Sequence, residues 1–120
     1  MFELSIRGDI AAAHFLRKYE GKCKNLHGHT WQIEVFIMGD QLDEVGMVVD
    51  FRILKKKLKV FLGTIDHICL NDLPYFQKVN PTTENLAKYI YENFSREVAP
   101  LKVSKVKAWE SDVTCVTYYE

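Results

Sequence analysis

An excess of charge of either sign is the first thing this chain lacks. Sixteen Lys and Arg stand against sixteen Asp and Glu, so nothing favours nucleic acid or an anionic membrane as a general partner. The one basic run, Lys55-Lys56-Lys57 with Lys59, reads as the solvated face of a helix. Long apolar runs are also missing: no stretch approaches the roughly 20 residues of a membrane span. The start, Met1-Phe-Glu-Leu-Ser, has neither the basic nor the apolar region of a secretion signal, and a cytoplasmic location is expected. Cys23, Cys69 and Cys115 are odd in number and irregular in spacing, which argues against a disulfide framework and for reduced thiols. With three prolines, six glycines and no repeat or linker, residues 1–120 are expected to form one domain, and the 48% apolar content is enough to fill its core.

What is there alternates. Phe2, Leu4 and Ile6 lie on one side of an extended segment and Glu3, Ser5 and Arg7 on the other, with Gly8-Asp9 interrupting before Ile10 to His14. This predicts one long strand with a bulge near Gly8. A polar loop from Leu16 to Leu26 follows, and a second strand from His27 to Met38 carries Trp31, Ile33, Val35 and Ile37 in phase with His27 and His29. Phe51, Leu54, Leu58, Phe61 and Leu62 recur at helical spacing behind an Asp50 cap, and Gly63 ends that helix. The connection from 64 to 80 is long enough to imply a role of its own. A second helix is predicted to start with Asn80 as cap and Pro81 at its first position and to run to about Val98. Two last strands, 103–109 and 113–119, leave Glu110 at the edge of a tight turn. The order β-β-α-α-β-β describes an α+β domain: a four-stranded antiparallel sheet with two helices on one face. Its free edges invite pairing into a closed oligomeric barrel.

The residues that carry chemistry gather on the first two strands. Side chains two apart project from one face of a strand, so His27 and His29 can address one point. Antiparallel pairing would bring His14, at the end of the first strand, beside them. Three neutral imidazoles with a fourth position open to water or substrate form a catalytic zinc site, whereas Cys23 as a fourth ligand would make a closed structural one. Lys22 and Lys24 flank Cys23 and favour the thiolate that acts as base or nucleophile. Asp66 can orient His67 for proton transfer. Glu110 is a turn carboxylate or a ligand anchor able to accept two parallel N–H bonds from a guanidine-like edge.

Ala13-His14-Phe15, Cys23-x-x-x-His27-Gly-His29, Gly46-Met-Val-x-Asp50-Phe51, Asp66-His67-x-x-Leu70-Asn71, Pro81-Thr-x-Glu84-Asn85 and Trp109-Glu110 together resemble the signature of the 6-pyruvoyl-tetrahydropterin synthase family, over nearly the whole chain. The three residues between Cys23 and His27 look like the 6-carboxy-5,6,7,8-tetrahydropterin synthase type of that family. The resemblance implies the tunnelling fold, or T-fold, assembled as trimers or hexamers with sites at subunit interfaces. It implies zinc on His14, His27 and His29, Cys23 as proton acceptor, Asp66 and His67 as a relay, and Glu110 as anchor of a pterin, with Thr82, Thr83 and Glu84 near the pterin pocket. The implied reaction turns 7,8-dihydroneopterin triphosphate into the 6-carboxy product, acetaldehyde and triphosphate, on the path to queuosine. Production of the 6-pyruvoyl compound, and a non-enzymatic oligomer with a structural His3Cys site, stand as the alternatives.

Overall fold

Unbroken alternation builds the first half of the sheet. In the computed structural model, which describes residues 1–120, Phe2–His14 form β1 and His27–Gly39 form β2. Ile6, Ile10, Ala12 and His14 of β1 are buried with Trp31, Ile33, Val35 and Ile37 of β2. The two strands pair antiparallel from Phe2↔Gly39 to His14↔His27 without a slip. The bulge expected near Gly8 is absent, because Ile6, Gly8, Ile10 and Ala12 keep one parity throughout. Gly8 serves close packing instead: a Cβ there would lie 2.7 Å from Cδ1 of Leu62 on the first helix.

That helix, α1 (Phe51–Gly63), is capped by Asp50, whose side chain accepts from Arg52 N–H at 2.8 Å, and it buries Leu54, Leu58, Phe61 and Leu62. The connection after it is more ordered than its polarity suggests. Its first part, Asp66 to Cys69, runs along the outer edge of β1, where His67 N–H donates to Ala11 O at 2.6 Å and Ala13 N–H to Ile68 O at 2.9 Å. A 3-10 turn (Leu70–Asp72) and a five-residue helix α2 (Pro74–Lys78) follow, so there are three helices rather than the two expected. The last, α3 (Thr83–Val98), buries Leu86, Ala87, Ile90, Phe94 and Val98.

β3 (Lys102–Ser111) and β4 (Thr114–Tyr118) complete a sheet of order β1-β2-β3-β4. Two register shifts interrupt it. The one between Phe36 and Ile37 leaves Ser104 as the extra residue on β3 and lets both Val103 and Val106 face the core. The other falls between Trp109↔Cys115 and Ser111↔Thr114, which places Glu110 inside β3 at a bulge rather than at the edge of the turn. α1 packs on β1 and α3 on β3 and β4 across one face, and the opposite face carries charged cross-strand pairs, Glu3 with Lys105 at 3.5 Å and Arg7 with Glu34 at 3.3 Å. No helix is long and apolar enough to cross a membrane.

Asn80 does not cap α3. Thr82 does, its hydroxyl oxygen accepting from Asn85 N–H at 3.1 Å. Asn80 instead pairs with the backbone of Arg17 as a strand would, accepting from its N–H at 2.9 Å and donating to its carbonyl at 2.8 Å. Asn71 does the same to Phe15, with both bonds at 3.0 Å. These two amides hold the chain where it leaves His14. Asn80→Ala should therefore lower stability by about 1–3 kcal/mol through the unpaired Arg17 backbone, read by urea denaturation, while α3 keeps its helical circular dichroism because its cap is untouched.

Candidate metal centre

The β1–β2 register puts His14 directly opposite His27, and His29 follows two residues on along the same face. The three imidazoles converge: one donor nitrogen from each lies within 4.8 Å of the others. His14 is 2% exposed, and its Nδ1 sits 2.7 Å from Pro81 O. The Nδ1 of His27 sits 2.7 Å from Asn25 O. A carbonyl oxygen only accepts, so both Nδ1 atoms carry the hydrogen and both Nε2 atoms of the neutral rings present lone pairs. Those two Nε2 atoms face each other at 3.0 Å, and the Nε2 of His29 is buried without a hydrogen-bond partner.

Two inward lone pairs and a third ring nitrogen, buried and unpartnered, describe a cation site. All-nitrogen donors suit a transition metal rather than calcium or magnesium, which prefer oxygen. The carbonyls of Pro81 and Asn25 act as the outer partners that fix ring tautomer and orientation. Burial, above all, pushes the His14 imidazole below its ordinary pKa, and the neighbouring His27 and His29 add to that against the bond to Pro81 O. The neutral, ligating form is thereby favoured.

Cys23 sits in a 3-10 turn (Lys22–Lys24) of the loop between β1 and β2, tied to the end of β1 by the bond from Leu16 N–H to Cys23 O at 2.9 Å. Its thiol is not a member of the converging donor group. It lines instead a cavity of about 350 Å³ together with His14, Thr82, Thr83, Glu84 and Glu110. Thr83, 6% exposed, donates its hydroxyl hydrogen to Glu110 Oε2 at 2.5 Å, and the other carboxylate oxygen of Glu110 lies 3.7 Å from His29 Nε2. Glu84 is exposed on the same wall. One acceptor position of the Thr82 oxygen is used by the α3 cap, which leaves its hydrogen and a second lone pair for a ligand.

Asp66 and His67 pair with each other at 2.9 Å, and Asp66 also accepts from Ala11 N–H at 2.8 Å. That backbone bond, and then His67, hold its carboxyl below the usual carboxylate range. The pair does not line the cavity that holds Cys23. It stands on the outer edge of β1, with His67 at φ 59° and its side chain 80% exposed. Within one chain, then, the histidine trio, Cys23, Glu110, Thr82, Thr83 and Glu84 come together, and the Asp66–His67 pair stands apart.

Trp31 escaped the sequence reading as anything but a core residue. It is fully buried, edge-on to both His14 and His29, and its indole N–H donates to Thr83 Oγ1 at 3.2 Å. Its place in phase with the two histidines was the available signal. Adding zinc to metal-free protein should raise its melting temperature in proportion to the free energy of binding, and His27→Ala or His29→Ala should abolish the rise while the fold still forms around its core of 22 buried apolar residues. Differential scanning calorimetry with metal analysis reads both.

The profile of the 6-pyruvoyl tetrahydropterin synthase family matches residues 3–120. A 6-carboxy-5,6,7,8-tetrahydropterin synthase of Bacillus subtilis is 37% identical over 98% of this chain and 77% of its own length. The human 6-pyruvoyl tetrahydrobiopterin synthase is also 37% identical, over 84% of this chain and 72% of its own. Among solved structures, the 6-pyruvoyl tetrahydropterin synthase of Caenorhabditis elegans superposes with a TM-score of 0.87 at 29% identity, covering 99% of this chain and 95% of that one.

Proposed function

The chain belongs to the 6-pyruvoyl tetrahydropterin synthase family, and on that premise we propose that it catalyses the 6-carboxy-5,6,7,8-tetrahydropterin synthase reaction, a lyase activity that serves queuosine formation. In it, 7,8-dihydroneopterin triphosphate and water give 6-carboxy-5,6,7,8-tetrahydropterin, acetaldehyde and triphosphate. The observation that carries the reading is one cavity whose wall joins His14 of the metal-ligand trio to Cys23 and Glu110. The choice of branch rests on the three residues between Cys23 and His27 and on the likeness to the Bacillus enzyme, which runs nearly the length of the chain. The activity is proposed to be cytoplasmic.

His14, His27 and His29 would hold zinc, which supplies Lewis acidity toward the side-chain oxygens of the substrate. Cys23, across the cavity, takes the proton from carbon. Glu110 accepts the paired N–H groups of the pterin's amino-pyrimidinone edge, with Thr83 and Glu84 beside it and Thr82 at the rim. Lys18 on the cavity wall and Lys22 and Lys24 beside Cys23 take part in none of the chain's ion pairs, which suits a substrate that arrives with a triphosphate. The thiol's absence from the donor group speaks against the closed His3Cys alternative.

Asp66 and His67 return a proton at a second position. Their place on the β1 edge, away from their own chain's cavity, supports a ring of copies in which each site borrows the pair from a neighbour. The outer edge of β4, the part of the β1 edge before Ala11 and the polar face of the sheet suit such a ring.

Incubating the zinc-loaded protein with dihydroneopterin triphosphate should yield acetaldehyde and the 6-carboxy product by mass. A 6-pyruvoyl product would instead assign the chain to the other branch. Cys23→Ala should keep its zinc and lose turnover by about 10²-fold or more; loss of zinc would return the thiol to the ligand set. Cys23→Ala and His67→Ala copies, each inactive alone, should regain turnover when refolded together, and a mixture that stays inactive would place the relay within one chain.

A further inference from the structure

Two polar groups lie under the site in an arrangement that the proposed reaction does not require. Trp31 is fully buried beneath the histidines, its ring centroid 5.0 Å from that of His14 and 5.1 Å from that of His29. Its indole can only donate, and it donates to Thr83 Oγ1 at 3.2 Å. Thr83 is itself buried, and a hydroxyl has one hydrogen. With one acceptor position of that oxygen taken by the indole, the remaining hydrogen goes to Glu110 Oε2 at 2.5 Å. Direction therefore passes along the chain Trp31 to Thr83 to Glu110, and it ends on an acceptor.

We propose that Trp31 is a positioning residue that makes the site specific for an amino-pyrimidinone edge. By fixing the Thr83 hydroxyl as a donor toward Glu110, it keeps that hydroxyl from turning its hydrogen to the ligand. Glu110 is held as a pure acceptor facing the cavity. A ligand that offers two N–H donors is matched there, and one that offers a carbonyl in place of the exocyclic amine meets a carboxylate oxygen with no hydrogen between them. The bulge at Glu110 aims the side chain; the indole decides which way the hydrogens run. This rests on the pterin reading of the site, and the edge-on seat of the indole against two metal-ligand histidines ties the anchor to the metal wall.

The test compares two non-reacting probes, pterin and its 2-oxo analogue lumazine, by calorimetric titration of the zinc-loaded protein. Wild type should prefer pterin. Thr83→Val and Trp31→Phe should each weaken pterin binding about tenfold, the scale of one buried hydrogen bond, and narrow the preference over lumazine, with zinc content unchanged. Thr83→Ser, which keeps the hydroxyl, should bind as wild type. Since Trp31 acts through Thr83, the double variant should lose no more than Thr83→Val alone. Additive losses, or equal losses for both probes, would overturn the assignment. A second readout needs no ligand: the Trp31 indole N–H resonance, identified by its disappearance in Trp31→Phe, should move in Thr83→Val. If it stays in place, the relay is absent whatever the ligand; if it moves while wild type binds neither probe, the pterin reading fails and the relay stands.

Discussion

Everything at the site depends on the register of β1 against β2. From Phe2↔Gly39 to His14↔His27 the pairing holds without a slip, and side chains on a strand alternate with a period of two. A shift of one residue would turn Ile6, Ile10 and Ala12 from the core to the other face, and would take His14 away from His27 in the same step. The free energy of burying the core thus also fixes the spacing of the imidazoles. Two lone pairs 3.0 Å apart, which repel each other, are held in place by residues that have no chemistry of their own.

The parts of the fold written in periodicity were legible in advance. Both long strands, α1 with its Asp50 cap, the body of α3 and the convergence of three histidines all follow from apolar spacing plus antiparallel pairing. The misses have a common physical cause: they concern polar side chains and small residues whose partners lie far away in sequence. Asn80 before Pro81 has the local form of a helix cap, but its amide matches the backbone of Arg17, 63 residues away. Gly8 reads as a break in a strand until α1 is laid across it. Glu110 looks like a turn residue because a bulge adds one position without changing the composition of the strand.

The site residues divide along the same line. His14, His27 and His29 could be grouped from residue type and strand phase, and Cys23 from its nearness in the chain. Asp66, His67 and Glu110 were candidates by residue chemistry to which the family resemblance gave roles, and it alone supplied the stretch from Thr82 to Glu84; geometry then separates them, since Glu110, Thr83 and Glu84 share a cavity with Cys23 and the Asp66–His67 pair does not. Trp31 shares the phase of the two histidines, but an aromatic in phase with a buried face is core by default, and its edge contacts with His14 and His29 and its donor contact with Thr83 are what distinguish it.

The four residues from Asn80 to Thr83 each point somewhere different: to the Arg17 backbone, to His14 through the Pro81 carbonyl, to the start of α3, and to Glu110. Such a stretch has no slack, and inserting or deleting a single residue in it would misplace all four contacts at once. The loop before α1 is the opposite case. There the Asp43 side chain closes its own turn on Val45 and Met47, and Gly46, at φ 92°, has no atom within 4 Å of where a Cβ would stand. Length variation among related chains should therefore collect around residues 40–47, while the distance in sequence from Asn80 to Thr83 stays constant.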